Sequence, residues 1–405
     1  MASAGLDEQL DVIRRGTVQI FPEDELVERL KRAIADDRPL RVKLGVDPTA
    51  PDIHLGHTVQ LRKLRQFQDL GHTVVLIIGD GTALIGDPSG QKSMRPQLSA
   101  GEVAENAATY LAQVSKVLDM NHAEVVRNGD WFAKMTFHDV VKLASKATVA
   151  RTLERDDFAE RYKQGIPIYV HEMLYPLMQG YDSVMVKADV EIGGTDQTFN
   201  LLVGRDLQRD AGQPPQVILT TPIIEGIDGT LKMSKSLGNY VGITEPPAEM
   251  FGKVMSIPDE LMRKYYELLT PVPLAEIDRL LSDETHPRDA KVHLAKEIVT
   301  LYYNRQSAEA AADEFERVFA QHELPDDVPV VELSKDKLTE GKMWVVKLVV
   351  ELGLARTNAE ARRLVEQGGV YLAGRRMNNV DAEVPVRKDM IVQVGRRRFA
   401  RVKLV

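Results

Sequence analysis

The sequence predicts an α/β fold built on a doubly wound parallel sheet, and three observations carry that expectation. Leu40 to Val46 reads as a strand, and Leu55 to Leu70 reads as a helix closed by Gly71 at its C′ position. Thr73 to Ile78 (TVVLII) reads as a second strand, apolar at nearly every position, as in a parallel sheet covered on both faces. Strand, helix and strand within about 40 residues make a βαβ unit. Such sheets hold ligands beyond the carboxyl ends of their strands. The loops Asp47 to Ile53 and Gly79 to Gly90 are therefore the first places to look.

The other elements follow in chain order. Residues 7–37 read as helical, with apolar residues at helical spacing and an Asp36-Asp37-Arg38-Pro39 stop. Residues 99–186 are mostly helical, with Val125-Val126 as a short strand before Asn128-Gly129. Val184 to Val190 reads as a further strand, followed by a loop from Glu191 to Gln197. Val217 to Thr220 is another short apolar strand. From Glu245 to about Leu324 the pattern is helical and charged. Pro325 to Lys335 carries two prolines and several acids and reads as a linker. The tail shows two short helices, near 343–353 and 358–367, and short strands between glycine-rich turns. This divides the chain into 1–225, 226–324, a linker at 325–340, and 341–405.

Composition narrows the function. A chain of 405 residues exceeds what one hydrophobic core normally serves. The absence of cysteine excludes disulfides, a thiol nucleophile and cysteine-ligated metals. No apolar run reaches membrane-spanning length, and the N-terminus has early acids and no signal-like core, so a cytoplasmic location with no membrane partner is expected. The net charge of −8 is unevenly spread: Gly341 to Val405 holds 14 basic and 6 acidic residues, +8 against −16 elsewhere. A basic module on an acidic body points to nucleic acid, although a merely well-charged domain gives the same count.

Several segments carry chemistry. Leu231-Lys232-Met233-Ser234-Lys235-Ser236 follows the turn signal Asp228-Gly229 and offers two flexible point charges, suited to a charge that develops during reaction. Pro48 to His57 (PTAPDIHLGH) ends with His54 and His57 on one face at the start of a helix, where free N–H groups and imidazoles can meet phosphate. HLGH alone reads as two surface histidines. No third ligand follows, so no metal site is expected. Gly86-Asp87-Pro88-Ser89-Gly90 is a turn whose Asp87 could cap it or bind an ammonium group. Lys92 and Arg95 beyond it meet either phosphate or solvent. Tyr175, Gln179 and Asp182 align on one face of an otherwise apolar helix, which suggests a pocket wall. Gly193-Gly194-Thr195-Asp196-Gln197 allows close backbone approach, and its Asp can accept from ribose hydroxyls.

Together these segments resemble a known family. HLGH is similar to the HIGH motif, and Lys232 to Ser236 matches the KMSKS signature, of class I aminoacyl-tRNA synthetases. GDPSG, YPLMQGYD and GGTDQ resemble segments of the bacterial tyrosyl-tRNA synthetases. The tail resembles the alpha-L RNA-binding fold, with Arg356 to Val370 as its core. The resemblance implies a Rossmann-type catalytic domain (1–225) with a helical insertion at about 99–186. A helical anticodon-binding region (226–324) and an RNA-binding domain (341–405) would follow.

The implied reaction joins L-tyrosine to ATP as tyrosyl-adenylate, releases pyrophosphate, and passes tyrosine to the 3′ end of tRNA(Tyr). Thr49, His54, His57, Lys232 and Lys235 would be catalytic, stabilising the triphosphate and leaving pyrophosphate. Pro48, Gly56, Gly194, Asp196, Met233, Ser234 and Ser236 would complete the ATP site. Asp47, Asp87, Tyr175, Gln179, Asp182 and Gln197 would bind tyrosine, with Asp182 accepting from the phenol. Arg362, Arg363, Arg375, Arg376, Arg396, Arg397 and Arg398 would meet tRNA. Mg2+ would travel with ATP rather than occupy a protein cage, and the chain would form a homodimer. The chain departs from many bacterial members at Lys43, where they have a tyrosine that contacts the phenol. The fold is shared with tryptophanyl-tRNA synthetase, but Asp182 and the tail favour the tyrosyl branch.

Overall fold

A computed structural model describes residues 4–48, 52–88, 99–319, 328–339, 341–395 and 398–405. It divides into two units, Met1–Glu309 and Ala310–Val405. The first is built on six strands: β1 (Gln19–Phe21), β2 (Arg41–Val46), β3 (Thr73–Ile78), β4 (Ala123–Arg127), β5 (Val190–Gly194) and β6 (Val217–Thr221). Their order is β1-β6-β5-β2-β3-β4, parallel throughout except for β1, which runs antiparallel to β6. From β2 the chain winds outward to β3 and β4, and from β5 it winds the other way to β6. The crevice between the carboxyl ends of β2 and β5 is thus a topological switch point.

Burial explains the strand signals. Val74 to Ile78 and Val217 to Leu219 are essentially without solvent contact, so both faces of these strands are covered. The helix Leu55–Asp69 buries Leu55, Val59, Leu61, Leu64 and Phe67. The helices Val170–Val186 and Thr198–Asp210 meet closely at Gly180, where an added Cβ would stand 3.0 Å from the Gly204 nitrogen.

Three expectations are corrected. The stretch 7–37 is two helices, Leu6–Arg14 and Glu23–Ala35, with β1 between them. Gly16 at positive φ and Pro22 break the helix, and a three-residue edge strand is too short to show a period of two. The strand expected at 184–190 is shifted: the helix runs on to Val186, and Lys187 in the left-handed region ends it. The strand is Val190–Gly194, so Gly193 and Gly194 end a strand rather than sit in a loop. A short apolar run reads alike in a buried helix and a buried strand. Finally, the segment read as a linker holds a strand, Val330–Leu333. Its partner is the last strand of the chain, so local composition could not reveal it.

The second unit has β7 (Val330–Leu333), β8 (Lys342–Trp344), β9 (Val370–Leu372), β10 (Arg375–Met377), β11 (Glu383–Pro385), β12 (Ile391–Val394) and β13 (Arg398–Leu404). Five of them form a sheet in the order β10-β9-β12-β13-β7, and β11 pairs with β8. The helices Val345–Glu351 and Asn358–Glu366 pack with these strands around a core that includes Val346, Leu348, Val349, Ala361, Val365, Val392 and Val402.

Candidate active site

The crevice at the switch point opens into a cavity of about 300 Å³, lined by residues from four of the chemistry-bearing segments singled out in the sequence. Its deep end rests on Asp182, on the helix Val170–Val186. The Asp182 carboxylate is 3% exposed, accepting from Asn128 Nδ2 at 3.1 Å on one oxygen and from Trp131 Nε1 at 3.0 Å on the other. Burial pushes it up to about 7, against the pull of the nearby Lys43 charge and these two donors. Tyr175, two turns earlier on the same face, donates its hydroxyl to Asp47 Oδ2 at 2.9 Å. Thr82 donates to the other Asp47 oxygen at 2.6 Å. Gly79 has no room for a side chain, because a Cβ there would lie 2.1 Å from that oxygen. Gln197 donates to Asp87 at 2.9 Å, and Asn200 ties Gln197 to Gln179 with bonds of 2.9 and 3.0 Å. The carboxylates Asp47 and Asp87 give this end a negative field suited to an ammonium group.

Beneath this wall lies Lys43, fully buried. Its ammonium reaches Glu191 at 2.9 Å, the Gln179 carbonyl at 2.9 Å and the Ser183 hydroxyl at 2.8 Å. Glu191 also accepts from Ser183, Gln179 and Gln216. All three protons of Lys43 are thereby engaged. It braces the helix that carries Tyr175, Gln179 and Asp182, and has no donor left for a ligand.

At the mouth, the two signature segments are joined. His54 is the N-cap residue of the helix Leu55–Asp69. The Leu55 nitrogen donates to the Val241 carbonyl at 2.9 Å, and the Ile243 nitrogen donates to the Ile53 carbonyl at 3.1 Å. His54 and Gly242 form an antiparallel bridge between these bonds. Met233 is buried, and its sulfur lies 3.2 Å from the Gly56 nitrogen. A Cβ at Gly56 would press the His54 ring at 3.0 Å and Met233 at 3.4 Å. The rings of His54 and His57 stack with centroids 3.8 Å apart. His57 Nδ1 accepts from the His54 nitrogen at 3.3 Å, which leaves its ring proton on Nε2. Desolvation, with the neighbouring His57 and Lys235, lowers His54 to about 3. Desolvation and Lys235 lower His57 to about 4, although its ring edge opens to the cleft. Both imidazoles are neutral donors at neutral pH.

One side chain ties much of the lysine loop together. Asn239, almost fully buried, donates to Asp228 at 2.7 Å and to the carbonyls of Leu231 and Lys232, and accepts from the Ser234 nitrogen at 2.8 Å. Asp228 in turn accepts from the Thr230 and Leu231 nitrogens. Lys235 pairs with Asp52. Ser234 and Ser236 bond to one another at 2.9 Å. Lys232 has no ion pair among the described residues, and its field acts on Asp196, whose pKa is raised by burial and by Asp87. Gly194 lies under Asp196, where an added Cβ would be 2.5 Å from its carboxylate.

Most of the expected site residues therefore converge on this cleft, with Asp47, Gly56, His57, Asp87, Tyr175, Gln179, Asp182, Asp196 and Gln197 lining the cavity itself. Pro48 stands beside it, its carbonyl accepting from Asn106. Thr49, Lys92, Arg95, Arg396 and Arg397 lie outside the described residues. In the second unit, Arg363 and Arg375 are exposed. Two other arginines are engaged with their own unit. Arg376 donates to the Gly368 and Gln367 carbonyls, and Arg398 to the Leu354 carbonyl and Glu360. Arg362 lies over the Trp344 ring, 5.7 Å from its centroid. Sequence reading missed Asn128, Trp131, Thr82, Asn200 and Asn239. Only Asn128 carried a signal, the Asn-Gly turn after a strand. Among the described residues no three His, Cys, Asp or Glu side chains group as a metal site.

Residues 35–320 match the family model described as tRNA synthetases class I (W and Y), and residues 343–391 match that of the S4 domain. The tyrosine–tRNA ligase of Moorella thermoacetica is 54% identical over 97% of this chain and 95% of its own length. That of Thermotoga maritima is 53% identical over 98% and 97%. The tyrosyl-tRNA synthetase of Archaeoglobus fulgidus, solved with L-tyrosine, superposes with a TM-score of 0.61 at 25% identity, covering 76% of this chain and all of that one. With its two signature segments joined over a pocket that ends on Asp182, the chain belongs to the class I tRNA synthetases, in the family of the tyrosine–tRNA ligases.

Proposed function

We propose that the cleft performs tyrosine activation and transfer with its two ends assigned as follows. Tyrosine lies in the deep end, its phenol donating to Asp182 and its ammonium held among Asp87, Tyr175 and Gln179. Asp47 and Gln197 line the reacting end. ATP lies at the mouth, its ribose on Asp196 above Gly194 and its phosphates over Gly56, His54, His57 and the lysine loop. The tyrosine carboxylate attacks the α-phosphate and the bond to pyrophosphate breaks. Lys232 and Lys235 then meet the charge that gathers on the leaving group, and the neutral imidazoles donate to its oxygens. In the second step a hydroxyl at the 3′ end of tRNA attacks the tyrosyl carbonyl and AMP leaves.

The observation that carries this assignment is the direct junction of Gly56 and Met233 at the mouth of a pocket whose far end is a buried carboxylate. Mg2+ would arrive with the nucleotide as its counter-ion, and Thr49 would join the phosphate contacts. Phe137, Val149, Tyr162 and Val170 are large apolar side chains exposed within the helical insertion, and their exposure supports a homodimer formed through that segment. The enzyme is assigned to the cytoplasm, and among the described residues no helix is long and apolar enough to cross a membrane. ATP–pyrophosphate exchange with each amino acid in turn tests the assignment. Exchange with tyrosine alone is expected, whereas exchange driven by tryptophan would overturn it.

A further inference from the structure

We propose that Asp52 is a resident substitute for phosphate: its carboxylate holds Lys235 and yields that lysine to ATP. The proposal rests on the assignment of Lys235 to the departing pyrophosphate. Asp52 stands two residues before the N-cap His54, at the end of a helix whose dipole favours an anion. It lines the cavity together with Gly56 and His57. Its carboxylate pairs with Lys235, the same ammonium whose charge lowers both histidines. A negative oxygen therefore already sits on the lysine, close in sequence to the helix end whose dipole favours one.

The pair is partly open to solvent, with Lys235 30% and Asp52 46% exposed, so an incoming phosphate can exchange with the carboxylate without unfolding anything. The neighbouring contacts do not depend on the pair. Met233 stays docked on Gly56, and Asn239 still orders the loop. Exchange therefore moves one side chain rather than the whole loop. The consequence is symmetrical. Asp52 competes with ATP on entry and recaptures Lys235 as pyrophosphate departs, so it weakens both ligands in the same proportion. Asp52 is thus a positioning residue that acts through Lys235 and sets how readily the nucleotide end exchanges its ligands.

The test is Asp52→Asn in the full-length enzyme, with Asp52→Ala beside it because alanine cannot bond Lys235 at all. Affinities for ATP and, from the enzyme-bound adenylate, for pyrophosphate are expected to tighten by about two- to fivefold, the range of a partly exposed ion pair. Tyrosine affinity should not move. The gain should shrink between about 0.05 and 0.5 M salt, because salt weakens the pair that the variant lacks. Combined with Lys235→Ala, Asp52→Asn should change nothing further. Unchanged or weakened ATP affinity in both Asp52 variants, or the same gain without Lys235, overturns the proposal. A normal adenylation rate in Lys235→Ala alone would instead overturn the role given to the lysine.

Discussion

The two ends of the cleft are built on opposite plans. At the deep end every ligand-facing group is already bonded: Asp182 to Asn128 and Trp131, Asp47 to Tyr175 and Thr82, and Gln179 and Gln197 to Asn200. The buried Lys43–Glu191 pair braces that wall from behind. At the mouth the groups proposed to work are neutral imidazoles, a helix terminus and two lysines, one of them paired with a partly exposed carboxylate. A satisfied, rigid network can reject a ligand that leaves one of its members unpaired, which suits recognition. Sparse charges that move little but bind loosely suit a step in which charge appears and leaves.

Substitutions should therefore separate the ends. The largest effect is expected from Lys235→Ala, which should slow adenylate formation by about 10²- to 10³-fold while tyrosine affinity stays constant. Single-turnover kinetics beside equilibrium tyrosine binding measure both, and parallel losses would erase the contrast. Asn239→Ala should come next. It strips the loop of its central tie and should slow adenylation by about tenfold, again with little change in tyrosine affinity.

The deep end should instead reveal itself through pH. A phenol donating to Asp182 favours the ionised carboxylate, so bound tyrosine pulls its pKa down from about 7. Affinity for tyrosine should then fall as pH drops below about 7, by up to about tenfold per unit, while phenylalanine, with no phenol, shows no such slope. Fluorescence titrations from about pH 5.5 to about pH 8, on either side of the raised pKa, would measure it. A flat tyrosine profile would separate Asp182 from the phenol. The smallest effect on the cleft is expected from removing residues 328–405. The second unit has its own core, so pyrophosphate exchange should persist nearly unchanged while tRNA charging falls. Loss of exchange as well would tie the two units together.

The sequence disclosed the parts of this molecule unevenly, for physical reasons. Thr73 to Ile78 was legible because a strand buried on both faces is apolar at every position. The stripe Tyr175, Gln179 and Asp182 was legible because helical spacing places polar residues on a shared face, and all three line the cavity. The edge strand Gln19–Phe21 and the strand Val330–Leu333 were not, since each is specified by a partner far along the chain. The supports of the site were hidden for the same reason. Trp131 and Asn239 look ordinary in sequence and matter only through what the fold sets beside them. Arg376 and Arg398, read from the basic tail as tRNA contacts, also donate to carbonyls of their own unit, a partnership that only the fold discloses.

The short ladder between Ile53–Leu55 and Val241–Ile243 also has a meaning for synthesis. The helix that His54 caps is made early, but its first turn is completed by a segment that the ribosome delivers much later. A nascent chain that ends before Ile243 can hold the first strands and both histidines, yet it has no closed nucleotide mouth. On the proposed assignment, adenylation is thus expected only after the segment that carries the lysines has been built.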